Sequence, residues 1–200
     1  MTDKTHIGVI VLAAGSSSRL GKPKQLVRYK GKSLLQHTLD TVKETGIQTA
    51  VLVTGANSEL ITEDLQKHAF ITVHNNDWQE GMAGSIRAGL KQLTNTDPQM
   101  NGVLIMVSDQ PFISAELMDN LCSAFKDQKD LVVSEYRKTV GVPAIIGRHY
   151  FDDLNKLTGD TGAKKIMMSN PEHLKKVRFE KGDIDIDTSA DIDRLNRIES

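Results

Sequence analysis

The chain of 200 residues has one cysteine, Cys122. A single thiol excludes an internal disulfide and fits a reducing cytosol. Cys122 follows Met118 at helical spacing, so it reads as core packing. An excess of either charge is also missing, since 25 Lys and Arg face 26 Asp and Glu for a net charge of -1. That balance argues against a nucleic-acid polyanion as main partner. It leaves room for a nucleotide, because cations can be gathered locally. No apolar run approaches the roughly 20 residues of a membrane span. The N-terminal residues lack the charged, apolar and small-residue regions of a signal peptide. A cytoplasmic protein with no membrane partner is expected. Repeats, low-complexity tracts and linkers are absent, so residues 1–200 read as one domain. Hydrophobic content of 38% and charged content of 26% suit a soluble globular protein.

Several catalytic signatures are absent too. There is no G-x-S-x-G elbow, because Ala83 stands at the first glycine position around Ser85. The six histidines form no H-E-x-x-H pair. Walker A fails as well: five residues separate Gly15 from Gly21, and Pro23 follows Lys22. The dinucleotide fingerprint G-x-G-x-x-G does not occur. These gaps remove support for a covalent-serine hydrolase and for the usual phosphate-loop proteins.

What is present is concentrated in Leu12 to Gln25. The apolar, β-branched run Ile7–Leu12 reads as a buried strand. It ends in Ala13-Ala14-Gly15 and three serines. Small residues let a ligand approach the backbone, and successive N–H groups there can form an anion-binding concavity. Arg19, Lys22 and Lys24 follow closely. The residues alone leave two readings open, a polyphosphate site or a solvated loop with scattered charge.

Downstream, strands and helices alternate. Ser33 to Thr45 reads as a helix closed by Gly46, then Thr49 to Thr54 as a buried strand. Ser58 is the expected N-cap of a helix ending near Lys67-His68, and Phe70 to Val73 is a short strand. Met82, Ile86, Leu90 and Leu93 form a helical stripe with Gly81, Gly84 and Ser85 in its first turn. Thr94 to Gly102 reads as a loop. Val103–Val107 is a buried strand, Ser114 caps the next helix, and Leu131–Ser134 and Pro143–Ile146 can pair. Phe151 to Leu157 and Ala163 to Met168 are short helical runs. The expectation is an α/β fold of three layers with a mainly parallel, mixed central sheet covered on both faces.

Chemistry in such a fold gathers at the carboxyl ends of the strands. Asp109 sits there, in Ser108-Asp109-Gln110-Pro111. It suits magnesium as a hard oxygen donor, or it caps a turn before Pro111. Asp183, Asp185 and Asp187 alternate near the end of the chain. On an extended strand they would share one face, which suits either a cation or a charge-protected edge.

The pattern Leu-Ala-Ala-Gly-x-Ser-x-Arg-x-Gly-x-x-Lys-Gln resembles the signature of nucleotidyltransferases that join a nucleoside triphosphate to a phosphorylated acceptor. Within them it is most similar to the molybdenum cofactor cytidylyltransferases. The likeness runs from about Ile7 to about Leu195 and implies a three-layer, Rossmann-like nucleotide-binding fold. Asn75 to Leu90 matches a second motif, Asp109-Gln110-Pro111 a third, and Asp185-Ile186-Asp187-Thr188 the closing one. The resemblance implies transfer of CMP from CTP to the phosphate of molybdenum-loaded molybdopterin, with Mg2+ and release of pyrophosphate. It implies nucleotide binding by Leu12, Ala13, Ala14, Gly15, Ser16, Arg19, Lys24, Gly81 and Ser85. Catalytic roles fall to Arg19, Lys24 and Asp109, and metal binding to Asp109, Asp185 and Asp187. Acceptor contact by Pro143, Asp160 and Gly162 follows from the matching Gly-x-Pro and Gly-Asp-x-Gly-Ala stretches. Ala14 replaces a glycine of the guanylyl-transferring relatives and favours cytosine. Molybdenum hydroxylase apoproteins and their insertion chaperones are the implied partners. Where the family continues Pro-Glu, this chain has Ser189-Ala190, which touches the start of the last helix. Rival readings are a relative using GTP or another acceptor, such as a polyol phosphate, and a non-catalytic nucleotide-binding regulator.

Overall fold

A computed structural model describes residues 6–65 and 70–197. The strands are β1 Ile7–Ala13, β2 Arg28–Tyr29, β3 Lys32–Ser33, β4 Ala50–Thr54, β5 Ile71–His74, β6 Gly102–Val107, β7 Leu131–Tyr136, β8 Thr139–Gly147 and β9 Leu174–Arg178. The helices are α1 Leu34–Glu44, α2 Ser58–Leu65, α3 Met82–Thr96, α4 Ala115–Ala124, α5 Phe151–Asn155, α6 Lys164–Ser169 and α7 Ser189–Arg197. Seven strands form one sheet in the order β5-β4-β1-β6-β8-β7-β9, and β2 and β3 make a separate hairpin. β5, β4, β1 and β6 run parallel. β8 is antiparallel to β6 and β7, and β9 runs parallel to β7. The expected three-layer, mainly parallel mixed sheet is what the chain forms.

Alternation along β1 explains the layers, because successive side chains point to opposite faces. Ile10 and Leu12 join Ile86, Leu90 and Leu154 on one face. Val9, Val11 and Ala13 join Leu35, Leu39, Leu117 and Leu121 on the other. A fully buried Ile or Leu of this kind contributes about 1.5–3 kcal/mol of transfer free energy. A third cluster is smaller: Val27, Tyr29 and Leu34 close on Ile186 and Leu195. It fastens the segment after the signature loop to the end of the chain.

Local signals hold for α1. The Ser33 hydroxyl accepts from Gln36 N at 3.1 Å, and Gln36 Oε1 accepts from Ser33 N at 3.0 Å. Gly46 follows the helix at φ +70°, a conformation that disfavours a side chain. Other expectations need correction. Ser58 is the first residue of α2 and not its cap, and its hydroxyl lies 3.2 Å from that of Thr54. Lys67 and His68 lie outside the described residues. α3 continues through Thr96, so the loop before β6 is shorter than expected. β9 has no counterpart in the sequence reading.

Cys122 is half-buried and packs against the α1-side core. Burial, with help from Asp119, pushes its thiol up to about 11. Only the thiolate alkylates, so Cys122 should label more slowly than a free thiol near neutral pH, the lost thiolate fraction outweighing its greater nucleophilicity. Mass spectrometry after iodoacetamide should show little labelling at pH 7.5 and steadily more as pH rises. Labelling at the rate of a free cysteine would contradict this packing.

Candidate functional site

The topology reverses beside β1. The chain runs outward from β1 to β4 and β5, then returns to place β6 on the other side. Such a switch point opens a crevice beyond the carboxyl ends of the strands. Leu12 of β1 is in register with Val107 of β6, so the loops after these strands emerge side by side. The Ser108 hydroxyl donates to Leu12 O at 3.3 Å and ties the two exits together. The crevice holds a cavity of about 350 Å³, at the lower end of the range for small-molecule sites.

Leu12, Ala14, Gly15 and Ser16 line the cavity from the β1 side, and Lys24 and Asp109 from its floor. Gly81, Ser85 and Asp160 line it from the α3 side. Gly81 has φ +102°, and a Cβ there would lie 2.4 Å from Asp160 Oδ1 and 2.6 Å from the Gly159 backbone. Only glycine fits that close approach. Gly159 O accepts from Ala83 N at 3.1 Å, so the 158–162 loop caps the start of α3. Ser85 is buried, and its hydroxyl accepts from Asn75 Nδ2 at 3.1 Å.

Not every expected residue lies on this wall, and Arg19, Asp185 and Asp187 are outside its lining. Ala13 faces the α1-side core. Pro143 is buried within β8, and its carbonyl accepts from the Ser134 hydroxyl at 2.7 Å. Gly162 packs against the Met82 sulfur. The cavity also includes residues the sequence reading left to packing or did not assign, among them Trp78, Gln79 and Met82. Trp78 packs against the α3-side core as well as lining the cavity.

The charged centre is a cluster of two cations and three carboxylates. Lys24 Nζ donates to Asp109 Oδ2 and, at 3.0 Å, to Asp187 Oδ1. Arg19 reaches Asp187 Oδ2 at 2.8 Å from an exposed position. Burial would pull the Lys24 ammonium down, but the charges and hydrogen bonds of Asp109 and Asp187 hold it above the ordinary lysine value. Partial desolvation of its carboxyl, in a residue otherwise exposed, pushes Asp185 up to about 6, and the charge of Asp109 adds to it. Nearby carboxylates that disfavour one another's ionisation suit a cation.

The closing acidic segment is not the extended strand expected from its alternation. A turn at residues 181–183 turns Asp183 away, onto Arg137 at 2.5 Å. Asp185 and Asp187 alone stay near Asp109. Backbone bonds hold them: Ile186 N donates to Asp109 O at 3.0 Å, and Gln110 Nε2 donates to Gly182 O at 3.0 Å. Gln110 therefore fixes the acidic segment as well as its own turn.

The donor set fits a divalent ion. Asp109 Oδ1 is buried and has no hydrogen-bond partner. Among the described residues no three carboxylate, His or Cys side chains converge on one point. Magnesium does not require that, since it usually takes one or two carboxylates and completes its shell with water and substrate phosphate.

Residues 9–176 match the family described as the MobA-like NTP transferase domain. The chain belongs to that family. This MobA-like transferase is 26% identical over 180 residues to nicotine blue oxidoreductase of Paenarthrobacter nicotinovorans, covering 85% of each chain. Its fold matches the crystal structure of an Rv0371c homologue from Mycobacterium sp. strain JC1, with TM-score 0.84, 27% identity and 98% of both chains covered. It also matches Rv0371C of Mycobacterium tuberculosis H37Rv in complex with manganese, with TM-score 0.77, 27% identity and 96% and 98% coverage. A relative that holds a divalent ion agrees with the chemistry of the acidic cluster. Among the described residues no helix is long and apolar enough to cross a membrane.

Proposed function

We propose that this transferase moves CMP from CTP to the terminal phosphate of a molybdopterin-type acceptor, giving a cytosine dinucleotide and pyrophosphate. The observation that carries the transfer reading is the ion-paired series Arg19–Asp187–Lys24–Asp109, of which Lys24 and Asp109 line the switch-point cavity. The acceptor phosphate oxygen forms a bond to the α-phosphorus as the bond to pyrophosphate breaks. An ionised phosphate is already a nucleophile, so no general base is required. Lys24 and Arg19 hold the triphosphate. Backbone N–H groups of the Ala14–Ser16 loop and the start of α3 add fixed donors. Asp109, with Asp185 or Asp187, would hold Mg2+, which when bound offsets charge on the phosphates. Asp160, at the α3 end of the cavity, is the best-placed acceptor contact of the three expected. The products fit delivery to molybdenum hydroxylase apoproteins or their insertion chaperones.

Ala14, which lines the cavity and stands where the guanylyl-transferring relatives carry a glycine, supports cytosine. Incubation with CTP or GTP, magnesium and molybdenum-loaded molybdopterin should yield the cytosine dinucleotide and pyrophosphate. Thermal shift should be larger with CTP, by up to about 2.7 kcal/mol at a hundred times the dissociation constant. An equal or larger shift with GTP would overturn the cytidylyl assignment. Reduction of nicotine blue with no pyrophosphate released would overturn transfer itself.

A further inference from the structure

Gln25 follows Lys24 in the signature and borders the cavity. Its side chain is 1% exposed, although it is polar and lies beside a loop open to solvent. A buried amide that is fully engaged marks a position where the surroundings dictate the residue. Gln25 Nε2 donates to Ala13 O and to Gly15 O, both at 3.1 Å. Its Oε1 accepts from the Ser17 hydroxyl at 3.3 Å. That hydroxyl in turn accepts from Lys24 N at 3.0 Å. Ser17 has φ +57°, rare for a residue with a side chain. One side chain thus joins the end of β1, the middle of the loop and the turn that leads into Lys24.

The consequence follows from the planarity of the peptide unit. The one cis bond among the described residues is Val142–Pro143, so the Ala13–Ala14 and Gly15–Ser16 units are trans. In a trans unit the N–H points opposite to the C=O. Carbonyls aimed at Gln25 therefore turn the N–H groups of Ala14 and Ser16 away from it. Gly15 O takes a second donor, Asn57 Nδ2 at 3.3 Å, from an exposed residue. The buried amide alone reaches both carbonyls.

We infer that Gln25 is a positioning residue that sets the peptide orientations of the nucleotide-binding loop and its spacing to Lys24. This rests on the nucleotidyl-transfer reading for its functional meaning, but the loop geometry can be measured without a nucleotide. Gln25→Met keeps the length and removes the amide. Gln25→Glu keeps the acceptor for Ser17 and replaces the donor with a second oxygen facing two carbonyls. Ser17→Gly, which suits the positive φ and removes one hydroxyl, changes an accessible residue and puts the fold at little risk.

Two readouts decide the matter. Amide hydrogen exchange over residues 13–17 of the free protein should rise at least about tenfold in both Gln25 variants, while β4 and β6 keep their protection. The dissociation constant for CTP with magnesium should rise at least about tenfold, with inorganic pyrophosphate following it. Ser17→Gly should show the same changes at smaller size. Exchange that rises over the whole molecule together, with unchanged affinity in the folded fraction, would reduce Gln25 to a core residue and overturn the inference. Unchanged exchange over 13–17, or faster exchange with unchanged affinity, would overturn it as well. A wild-type protein that binds neither probe would instead sink the transfer reading, while localised exchange would still support the hold of Gln25 on the loop.

Discussion

Asp109→Asn is expected to lower magnesium-dependent turnover by at least about a hundredfold, the scale of losing one strong electrostatic contact. The substitution preserves size and leaves one oxygen to accept from Lys24. It removes the charge from a side chain 12% exposed whose Oδ1 has no protein partner. The backbone carbonyl that holds Ile186 N is untouched, so the closing segment should stay in place. Melting temperature should therefore change little. Asp187→Asn should lose activity similarly, with an added loss of Arg19 anchoring. The double variant should lose less than the sum, because both carboxylates act on one centre. Turnover and melting temperature measured on the same three proteins test this. Near-normal turnover of Asp109→Asn at low magnesium would reject the metal-ligand role. A lowered melting temperature with normal turnover would make Asp109 a turn-forming residue only.

The second large effect is expected from Lys24→Ala. Lys24 is 22% exposed and is shared by Asp109 and Asp187. Its removal takes a fixed point charge from the triphosphate, where interactions that strengthen in the transition state matter most. Turnover at saturating substrate should fall by about a hundredfold to a thousandfold. The same change strips Asp109 of its cation and leaves Arg19 alone to offset Asp187 and the nearby Asp185. The variant should melt lower than wild type in a chelator and recover most of the difference when magnesium is added. Melting curves with and without the ion, beside steady-state rates, check both halves. Unchanged turnover of saturated enzyme would exclude the catalytic role.

The sequence was a good guide wherever one segment supplies its own signal. The Ile7–Leu12 run is β-branched and apolar because both faces of β1 are covered. Ser33 and Gln36 announce α1 because their side chains bond backbone groups three residues apart. Ser58 misled because its hydroxyl has Thr54 as a neighbour, and nothing local distinguishes a cap from a first helical residue. β9 was hidden because it is an edge strand carrying Lys175 and Lys176. Charge of that kind guards an edge and erases the alternation of a half-buried strand. The acidic triplet misled in the same way: alternation alone fits an extended strand, and the turn at 181–183 depends on contacts elsewhere.

By itself the sequence determined the alternation of most strands and helices, the small-residue loop after β1 and the kinds of charge available for phosphate and metal. Those features depend on periodicity, caps and side-chain chemistry within a few residues. Only the tertiary structure decided which charges meet. Asp187 stands 163 residues from Lys24, and Asp109 stands 85 from it. They converge because the chain returns to set β6 beside β1, and because Ile186 and Leu195 bury themselves against Val27, Tyr29 and Leu34. Burial of apolar surface from distant segments draws the charged groups together. The tertiary arrangement therefore placed Asp185 and Asp187 at the centre and sent Asp183 to Arg137.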